Sequence, residues 1–414
     1  MQMMRDKHMI FFSNPKITSE KLIKPHYQQT AIRIQKSTSK YVLALQDQMR
    51  LNFTGHSAKT ELGRIGKTKT QEQYGLIQHS VLCVTENNEP LGLMDVKLFD
   101  YQEFNTEIKS INRPIKDKAS RYWIDALADM RQRLGECQQR IITVADREGD
   151  FFDFLYNLIK GKEEFVIRAK FDRYTGKTHR ARGQRLWSVV SESEVKGYMA
   201  ATIQDVNTRE MKDTKLTLKA AEVTLPPSSN SKKSREFKRD YKPIKVNVVM
   251  AYNDEHEWVL LTNLPADELE QIKEIVNIYR SRWHIEDYHK VLKTGYQVDE
   301  IYLHSSRQAI ENLLIMASIS ACRLYWLIYV GRSEPSIKAD RVFAEFEWKA
   351  VYAYFNEPIP DKSPPLSVII LKIARLGGYK PTKKGNQPGI KTMWTGFQHF
   401  TTASQIYRNM STKT

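Results

Sequence analysis

Apolar residues in the first half of the chain follow two periods, one typical of strands and one typical of helices. Helical spacing runs over residues 118–134 and 151–159. Apolar runs bounded by polar and turn residues predict five β-strands, at residues 41–45, 79–85, 91–98, 141–145 and 164–168. The pattern therefore predicts three strands, a helix, a strand, a helix and a strand, in that order.

The pattern changes after residue 170. Residues 171–262 are rich in β-type segments and turns, and they include a charged, serine-rich stretch at residues 228–239. Long helices are predicted at about residues 265–293 and 306–330. This order is that of an α/β ribonuclease-H-like core with a mainly β insertion and a helical C-terminal tail, although other α/β folds share it.

The predicted elements divide the chain into five regions. We expect a short N-terminal region at 1–40, the first part of the core at 41–170, the β-rich insertion at 171–262, the closing core helices at 263–335, and a C-terminal helical region at 336–414. Residues 27–40 carry a weakly helical pattern, whereas residues 1–24 show no amphipathic helix of adequate length. The tail combines short helices with a turn region rich in Gly and Lys at residues 377–389, and it is a candidate dimerisation region.

A stripe of polar residues follows the predicted helix at residues 265–293. Tyr279, Arg282, Glu286, Lys290 and Lys293 are spaced by three, four, four and three residues, so they share one helix face. Upstream, the same face is apolar. A solvated, salt-bridged surface would normally lie opposite an apolar face rather than extend it. The stripe therefore favours a charged cleft over an exposed helix surface.

Two aspartates stand where apolar runs stop, Asp47 after the first strand and Asp146 after the fourth. Either could simply begin a turn, but functional side chains also gather at the C-terminal ends of strands in α/β sheets. With Glu286 they would form a set of three carboxylates. Such a set suits hard divalent ions, because a cation relieves the repulsion among the carboxylates. The sequence therefore predicts a Mg²⁺ site, in which Mn²⁺ can substitute, for phosphoryl transfer.

The charge balance points to a polyanionic partner. Lys and Arg number 64 against 48 Asp and Glu, giving a formal net charge of +16 and a pI of about 9.4. A basic protein without such a partner is the alternative. Cys83, Cys137 and Cys322 are far apart, which predicts neither disulfides nor a zinc site and suits a reducing cytoplasm. Residues 313–330 form an apolar stretch interrupted by Arg323, which predicts a buried helix and no membrane span.

The helix stripe resembles a known family. Tyr279, Arg282, Glu286 and Lys293 reproduce the Tyr-x2-Arg-x3-Glu-x6-Lys signature of the insertion-sequence family four transposases, which belong to the DDE group. Residues 145–150 (Ala-Asp-Arg-Glu-Gly-Asp) resemble the second-aspartate motif of that family, and residues 45–47 and 51–55 resemble the first. The tail also resembles the family at residues 376–378 and 394–396. The resemblance covers about residues 28–410.

The resemblance implies a cut-and-paste DNA transposase of bacterial cytoplasm and nucleoid, acting on double-stranded DNA as a homodimer. It implies that the metal ligands are Asp47, Asp146 and Glu286. It assigns DNA contacts to Arg168, Trp258, Tyr279, Arg282 and Lys293, and Lys290 joins them through its place on the helix stripe. Trp258 would receive a flipped base, since stacking offsets the unpairing. Without the resemblance, core packing would explain this tryptophan.

Two departures from the family pattern leave other functions open. Gln48 follows the first aspartate, where the family usually has Thr. Only 46 residues precede Asp47, so we expect a chain that lacks most of the N-terminal end-recognition domain and binds transposon ends poorly. An idle DNA-binding or dimerising remnant that inhibits a full-length transposase is one alternative. A structure-specific nuclease without strand transfer is another.

Overall fold

The computed structural model describes residues 11–55, 61–104, 113–177, 183–204, 211–227, 240–295, 306–381 and 388–411. Within these ranges, ten strands form a single mixed sheet, and helices cover it and make up the C-terminal end. The mixed α/β architecture with C-terminal helices is thereby confirmed. The predicted features at residues 1–10 and 228–239, and residues 382–387 of the predicted turn region, lie outside the described residues.

Six strands form the first part of the sheet. They are β1 (Val42–Asn52), β2 (Arg64–Lys67), β3 (Glu72–Thr85), β4 (Pro90–Phe99), β5 (Ile141–Ala145) and β6 (Glu164–Arg168). On one side β1 pairs antiparallel with β3, which in turn pairs with β2 and β4. On its other side β1 is parallel to β5, and β5 is parallel to β6. The C-terminal ends of β5 and β6 therefore lie at the same edge of the sheet as the end of the parallel pairing of β1.

Four further strands extend the same sheet. They are β7 (Val195–Gln204), β8 (Met211–Leu225), β9 (Ile244–Tyr252) and β10 (Glu257–Thr262), and neighbours among them are antiparallel. The strand β10 pairs antiparallel with β6, with Leu260 opposite Arg168. The segment predicted as a β-rich insertion thus contributes its strands to the sheet that carries Asp47.

Helices cover both faces of the sheet. They are α1 (Ser19–Gln35), α2 (Arg121–Leu134), α3 (Phe152–Lys160), α4 (Leu186–Glu192), α5 (Leu269–Arg280), α6 (Trp283–Lys290), α7 (Arg307–Ser333), α8 (Glu345–Tyr354), α9 (Leu366–Leu376) and α10 (Ile390–Ser411). Successive residues of β1 separate two cores, because strand side chains alternate between faces. Leu43 and Leu45 belong to a core cluster that includes residues of α5 to α10, whereas Val42 and Ala44 belong to one that includes residues of α2 to α4.

The C-terminal helices contact each other through backbone. A Cβ atom at Gly396 of α10 would lie 1.9 Å from the carbonyl oxygen of Ile373 in α9. One at Gly377, just after α9, would lie 2.0 Å from the carbonyl oxygen of Thr392. Only glycine permits so close an approach. With 22 residues, α10 is longer than the short helices predicted for the tail.

Helix α7 contains the apolar stretch at residues 313–330. By length and composition alone, it is the one helix in the described ranges that could cross a membrane. Within its most apolar 18-residue window, 61% is buried inside the protein. This burial agrees with the prediction of a core helix. The three cysteines are free.

The first helix begins earlier than predicted. The weakly helical pattern was expected at residues 27–40, but α1 starts at Ser19, where the Thr18 side chain accepts a hydrogen bond from the Lys21 amide. Ile23 and Tyr27 of α1 are buried against the core. The cap and this tertiary burial stabilise a helix whose own pattern is weakly amphipathic.

Candidate active site

Asp47 and Asp146 lie on neighbouring parallel strands. The last paired residues of β1 and β5 are Gln46 and Ala145, and each aspartate comes next. Asp146 follows the end of β5, as predicted. The prediction that a strand also stops at Asp47 is wrong, because the other edge of β1 stays paired with β3 as far as Asn52. The site therefore lies where β1 stops pairing with β5 but continues to pair with β3.

The turn after Asp146 is shaped by a glycine and a buried aspartate. A Cβ atom at Gly149 would lie 2.8 Å from the Cβ of Ala145, so the turn packs directly on β5. The Asp150 side chain is buried and accepts hydrogen bonds from the amides of Lys170 (2.6 Å) and Phe171 (3.1 Å). Sequence reasoning missed this role, although Asp150 stands in the motif at residues 145–150.

The helix predicted at residues 265–293 is interrupted. It divides into α5 and α6 at Ser281, and a π-helical turn, Val291–Gly295, follows α6. The Ser281 hydroxyl donates to a carbonyl one turn back, and the Arg282 amide donates to the Tyr279 carbonyl three residues back. Such bonds tighten and bend a helix. The stripe therefore lies on two helices rather than one.

Tyr279, Arg282 and Glu286 extend from this interrupted helix toward the two aspartates. The Tyr279 hydroxyl donates to Asp146 Oδ1 at 3.0 Å. Arg282 Nη1 forms an ion pair with Glu286 Oε1 at 2.7 Å, and its guanidinium lies 5.8 Å from the centre of the Tyr279 ring. Tyr279 and Arg282 are buried, whereas the Glu286 side chain is partly exposed. The structure thus links Tyr279 to Asp146 and Arg282 to Glu286.

Arg168, at the end of β6, and Trp258, on β10, lie beside Asp146 and Tyr279. Arg168 Nη1 is 3.8 Å from Asp146 Oδ1, and Arg168 also donates to the carbonyl of Glu257 at 3.3 Å. The Trp258 ring packs edge-to-face on Tyr279, with 5.6 Å between ring centres. Trp258 is half-buried. Both residues are therefore next to groups that contact Asp146.

The two lysines of the stripe lie further along it. Lys290, at the end of α6, is exposed. Burial raises the pKa of Asp287, and the positive charge of Lys290 partly offsets that rise. Lys293 lies in the π-helical turn, and its charge lowers the pKa of His289. The structure places these lysines beside Asp287 and His289 rather than against Asp146.

Burial gives Asp47 unusual acid–base behaviour. Loss of solvent raises the pKa of Asp47 to about 7. A backbone hydrogen bond from Gln48 and the charge of Arg282 lower it, while the charges of Glu148 and Glu286 raise it. Asp47 is therefore a carboxylate whose charged form is disfavoured mainly by its loss of solvent. A divalent cation would offset that cost.

The neighbouring groups respond to the same charges. Burial and the charge of Asp146 raise the pKa of Tyr279 to about 12, so its hydroxyl keeps its proton. Burial alone would lower the pKa of Arg282, but Tyr279, Asp146 and Glu286 raise it above its usual value. The guanidinium is therefore charged and stands among the carboxylates.

His289 is a second residue that sequence reasoning missed. It is 7% exposed, and its Nδ1 lies 3.7 Å from Asp47 Oδ2. Burial and the charge of Lys293 lower the pKa of His289 to about 3, so the contact joins a neutral ring to Asp47 and is not an ion pair. Its position one turn after Glu286 could have indicated it.

Within the described ranges, no group of three or more His, Cys, Asp or Glu side chains is arranged to hold a metal ion. Asp146 is bound to Tyr279 and Glu286 to Arg282. Carboxylates without a shared cation repel one another and turn to nearby donors. Their oxygens are nevertheless the ligands that Mg²⁺ prefers, and a bound cation would favour the charged form of Asp47.

Comparison with protein families agrees with this geometry. The family described as the transposase DDE domain matches residues 18–322, and that described as the transposase Tn5 dimerisation domain matches residues 319–411. The chain belongs to the DDE transposase family. Its candidate active site and sheet lie within the first match, and α8 to α10 lie within the second. Transposition of DNA is thus the function that the family supplies, with DNA binding and dimer formation as its expected properties.

Proposed function

We propose that this DDE transposase nicks, excises and joins the DNA of an insertion sequence of family four by metal-dependent phosphoryl transfer. Its catalytic carboxylates would be Asp47, Asp146 and Glu286. The observation that carries the proposal is the pair of contacts, Tyr279 to Asp146 and Arg282 to Glu286, together with a half-buried Asp47 whose pKa responds to the charges of Arg282 and Glu286. The signature helix supports the finer family assignment, which the family matches leave open.

The order of the sheet supports a ribonuclease-H-like core. Three antiparallel strands, β4, β3 and β1, are followed by the parallel strands β5 and β6. Asp47 lies on β1 and Asp146 directly follows β5, and these two strands are neighbours in this order. Placed there, they would approach one scissile phosphate from neighbouring positions.

The three carboxylates would hold one or two Mg²⁺ or Mn²⁺ ions, which supply Lewis-acid activation of the attacking oxygen and stabilisation of the leaving oxygen. The chain's own residues set the geometry. Tyr279 orients Asp146 through its hydroxyl, and Arg282 restrains Glu286. The partial burial that raises the pKa of Asp47 would also limit the access of water to that carboxylate.

The DNA would be held by positive charge and one aromatic ring. Arg168, Lys290 and Lys293 would neutralise phosphates around the candidate active site, and Trp258 beside Tyr279 would stack a flipped base. The net charge of +16 supports such a partner. A transposase of this kind would act in the cytoplasm on chromosomal DNA.

A gel assay tests the reaction. Labelled DNA that carries a transposon end is incubated with the protein and Mg²⁺ or Mn²⁺. Three products are then separated: nicked DNA, hairpin ends formed when the freed hydroxyl attacks the opposite strand, and joined DNA. All three products are expected. Cleavage without joining would identify a structure-specific nuclease. Binding without cleavage would identify the inhibitory remnant, an alternative that the family matches do not favour.

Paired variants test the assignment of the carboxylates. Asp146→Asn is expected to abolish cleavage while leaving DNA binding in place, because it removes a charged oxygen ligand with little change in shape. Glu136→Gln, which removes an exposed carboxylate from the loop before β5, is the control and should retain cleavage. Equal losses in both variants would contradict the assignment of Asp146.

We also propose where two copies meet. A groove of about 720 Å³ between α8 and α10 has small residues, including Ala350, Ala353 and Ala403, along its lining. Beside them, Ile406 and Met410 are 55% and 68% exposed. Large exposed apolar side chains and small ones line the same groove, so the large side chains of one copy can fill the groove of another, which suits a twofold interface. The dimerisation-domain match supports a second copy as the occupant.

The oligomeric state in the DNA complex tests this surface. Met410→Glu should shift end-bound complexes from two protein copies to one, measured by light scattering after gel filtration. Leu371→Glu changes a 46% exposed side chain of α9 that is not among the groove residues, and it should leave the dimer intact. A dimer unaffected by Met410→Glu would place the interface elsewhere.

A further inference from the structure

The segment that follows β6 presents two aromatic rings to solvent. Phe171 is 52% exposed and Tyr174 is 37% exposed. Each ring has a cation beside it. The Lys170 ammonium lies 5.6 Å from the centre of the Phe171 ring, and the Arg185 guanidinium lies 4.2 Å from that of Tyr174. We call residues 170–174, together with Arg185, the aromatic–basic turn.

The backbone of this turn is firmly held. The buried Asp150 accepts from the amides of Lys170 and Phe171, and it also pairs with Arg173. Asp172 accepts from the Trp187 amide at 3.0 Å. The exposure of the Phe171 ring is therefore a property of a fixed backbone, on which an aromatic ring is kept open to solvent.

The aromatic–basic turn is also close to the candidate active site. Asp146 and Asp150 flank the short helical turn Arg147–Gly149. The proposed metal ligand Asp146 is therefore four residues from Asp150, which binds the backbone of the aromatic–basic turn. Arg168, two residues before the turn, lies 3.8 Å from Asp146. On its other side, the Trp187 indole donates to Glu257 at 3.1 Å, next to Trp258.

The charge around the turn suits a nucleic acid strand. Among the described residues from 168 to 185, five are Lys or Arg and one, Asp172, is acidic. An exposed ring among cations is the arrangement that proteins use to stack bases of single-stranded nucleic acid. In a duplex the faces of the bases are covered by their neighbours, so such a ring gains a partner only where a base is unpaired.

We propose that Phe171 stacks an unpaired base of the DNA strand released beside the active site, with Tyr174 as a second aromatic contact on the same turn. The inference rests on the proposed function, because nicking at the transposon end is what would free that strand. It assigns to Phe171 a role separate from that proposed for Trp258, and the contacts of Asp150 position its ring.

Binding to two DNA probes tests the proposal. One probe is a fully paired transposon end, and the other is the same end, nicked and carrying a short unpaired flap with 2-aminopurine. Affinities are measured without divalent metal, so that no cleavage intervenes. Wild type should prefer the flap probe and quench its fluorescence. Phe171→Ala should lower affinity for the flap probe about tenfold to a hundredfold and leave the paired probe unchanged. Phe171→Trp should retain the preference.

Tyr198→Ala is the matched control. Tyr198 is also 52% exposed and has a Lys215 ammonium 3.9 Å from its ring centre, but it lies on β7 at the far end of the sheet. It should leave both affinities unchanged. The proposal is overturned if Phe171→Ala weakens both probes equally, weakens neither, or matches Tyr198→Ala. Wild type that binds paired DNA without preferring the flap overturns this inference alone, whereas wild type that binds neither probe overturns the proposed function as well.

Discussion

Replacing Asp47 by Asn should stabilise the metal-free protein at alkaline pH. Burial raises the pKa of Asp47 from 3.8 to about 7, so the folded state favours the protonated carboxyl more than the unfolded state does. That preference stabilises the fold fully below the unfolded pKa and is lost as pH rises through the folded pKa. Above that range, an ionised and poorly compensated Asp47 remains in the fold, and the Asp47→Asn substitution would remove that charge.

The magnitude follows from the two pKa values. At about 1.4 kcal/mol per pKa unit, a rise from 3.8 to about 7 is worth roughly 4 kcal/mol. Of this, about 2.5 kcal/mol is lost between about pH 5 and pH 8, because the unfolded carboxyl is already ionised at the lower pH. The Asp47 side chain is 18% exposed, so screening by solvent reduces the figure only in part.

Urea unfolding in EDTA across this pH range measures the effect. The stability of Asp47→Asn minus that of wild type should grow by about 2 kcal/mol from pH 5 to pH 8. Asp254→Asn, at an exposed position, is the control for removing one carboxylate. Adding Mg²⁺ at pH 8 should stabilise wild type more than Asp47→Asn, since binding to the folded state alone raises stability. A difference that stays constant with pH would refute the argument that Asp47 is ionised at a cost.

Three further predictions concern the tail and the DNA contacts. Gly396→Ala should lower the free energy of unfolding by about 1–3 kcal/mol, because its new methyl group would lie 1.9 Å from a carbonyl oxygen of the facing helix. Gly331→Ala is the control in denaturant titrations. It should lower the free energy of unfolding less, since its methyl would lie 3.1 Å from a side-chain atom, which can move, rather than from backbone. Lys290→Ala and Lys293→Ala should each lower the slope of log affinity against log salt by about one, and unchanged slopes in both would assign them to a solvated surface. Trp258→Ala should abolish quenching of a 2-aminopurine at the transposon end, whereas unchanged quenching would favour core packing.

Local patterns in the sequence predicted the elements that short-range periodicity determines. The apolar run that ends at Ala145 became β5, and the helical spacing at residues 118–134 became α2. The boundaries that failed depend on partners distant in the chain. β1 continues past Asp47 because β3 pairs with it, and no pattern within β1 reports that pairing. The strands of residues 171–262 were predicted, but their continuity with β6 was not, because pairing is set by packing across the whole sheet.

The candidate site shows the same division. The spacing of Tyr279, Arg282 and Glu286 predicted a shared face, and the structure connects two of them to each other and the third to Asp146. The break at Ser281 was not predicted, because it depends on one side-chain hydrogen bond within an otherwise helical pattern. The structural role of Asp150 was not predicted, since its partners are some twenty residues away. The metal-binding roles themselves stay predictions.

The shared sheet has a consequence for how DNA would be measured. Asp146 follows β5, Trp258 lies on β10, and β6 is hydrogen-bonded between those two strands. At about 4.8 Å between strands and about 3.3 Å per residue, the two backbone positions stand roughly 12 Å apart. Because two hydrogen-bonded ladders fix that spacing, side-chain substitutions cannot change it. The sheet would thus determine how many nucleotides separate a base held at Trp258 from the phosphate that reacts at Asp146.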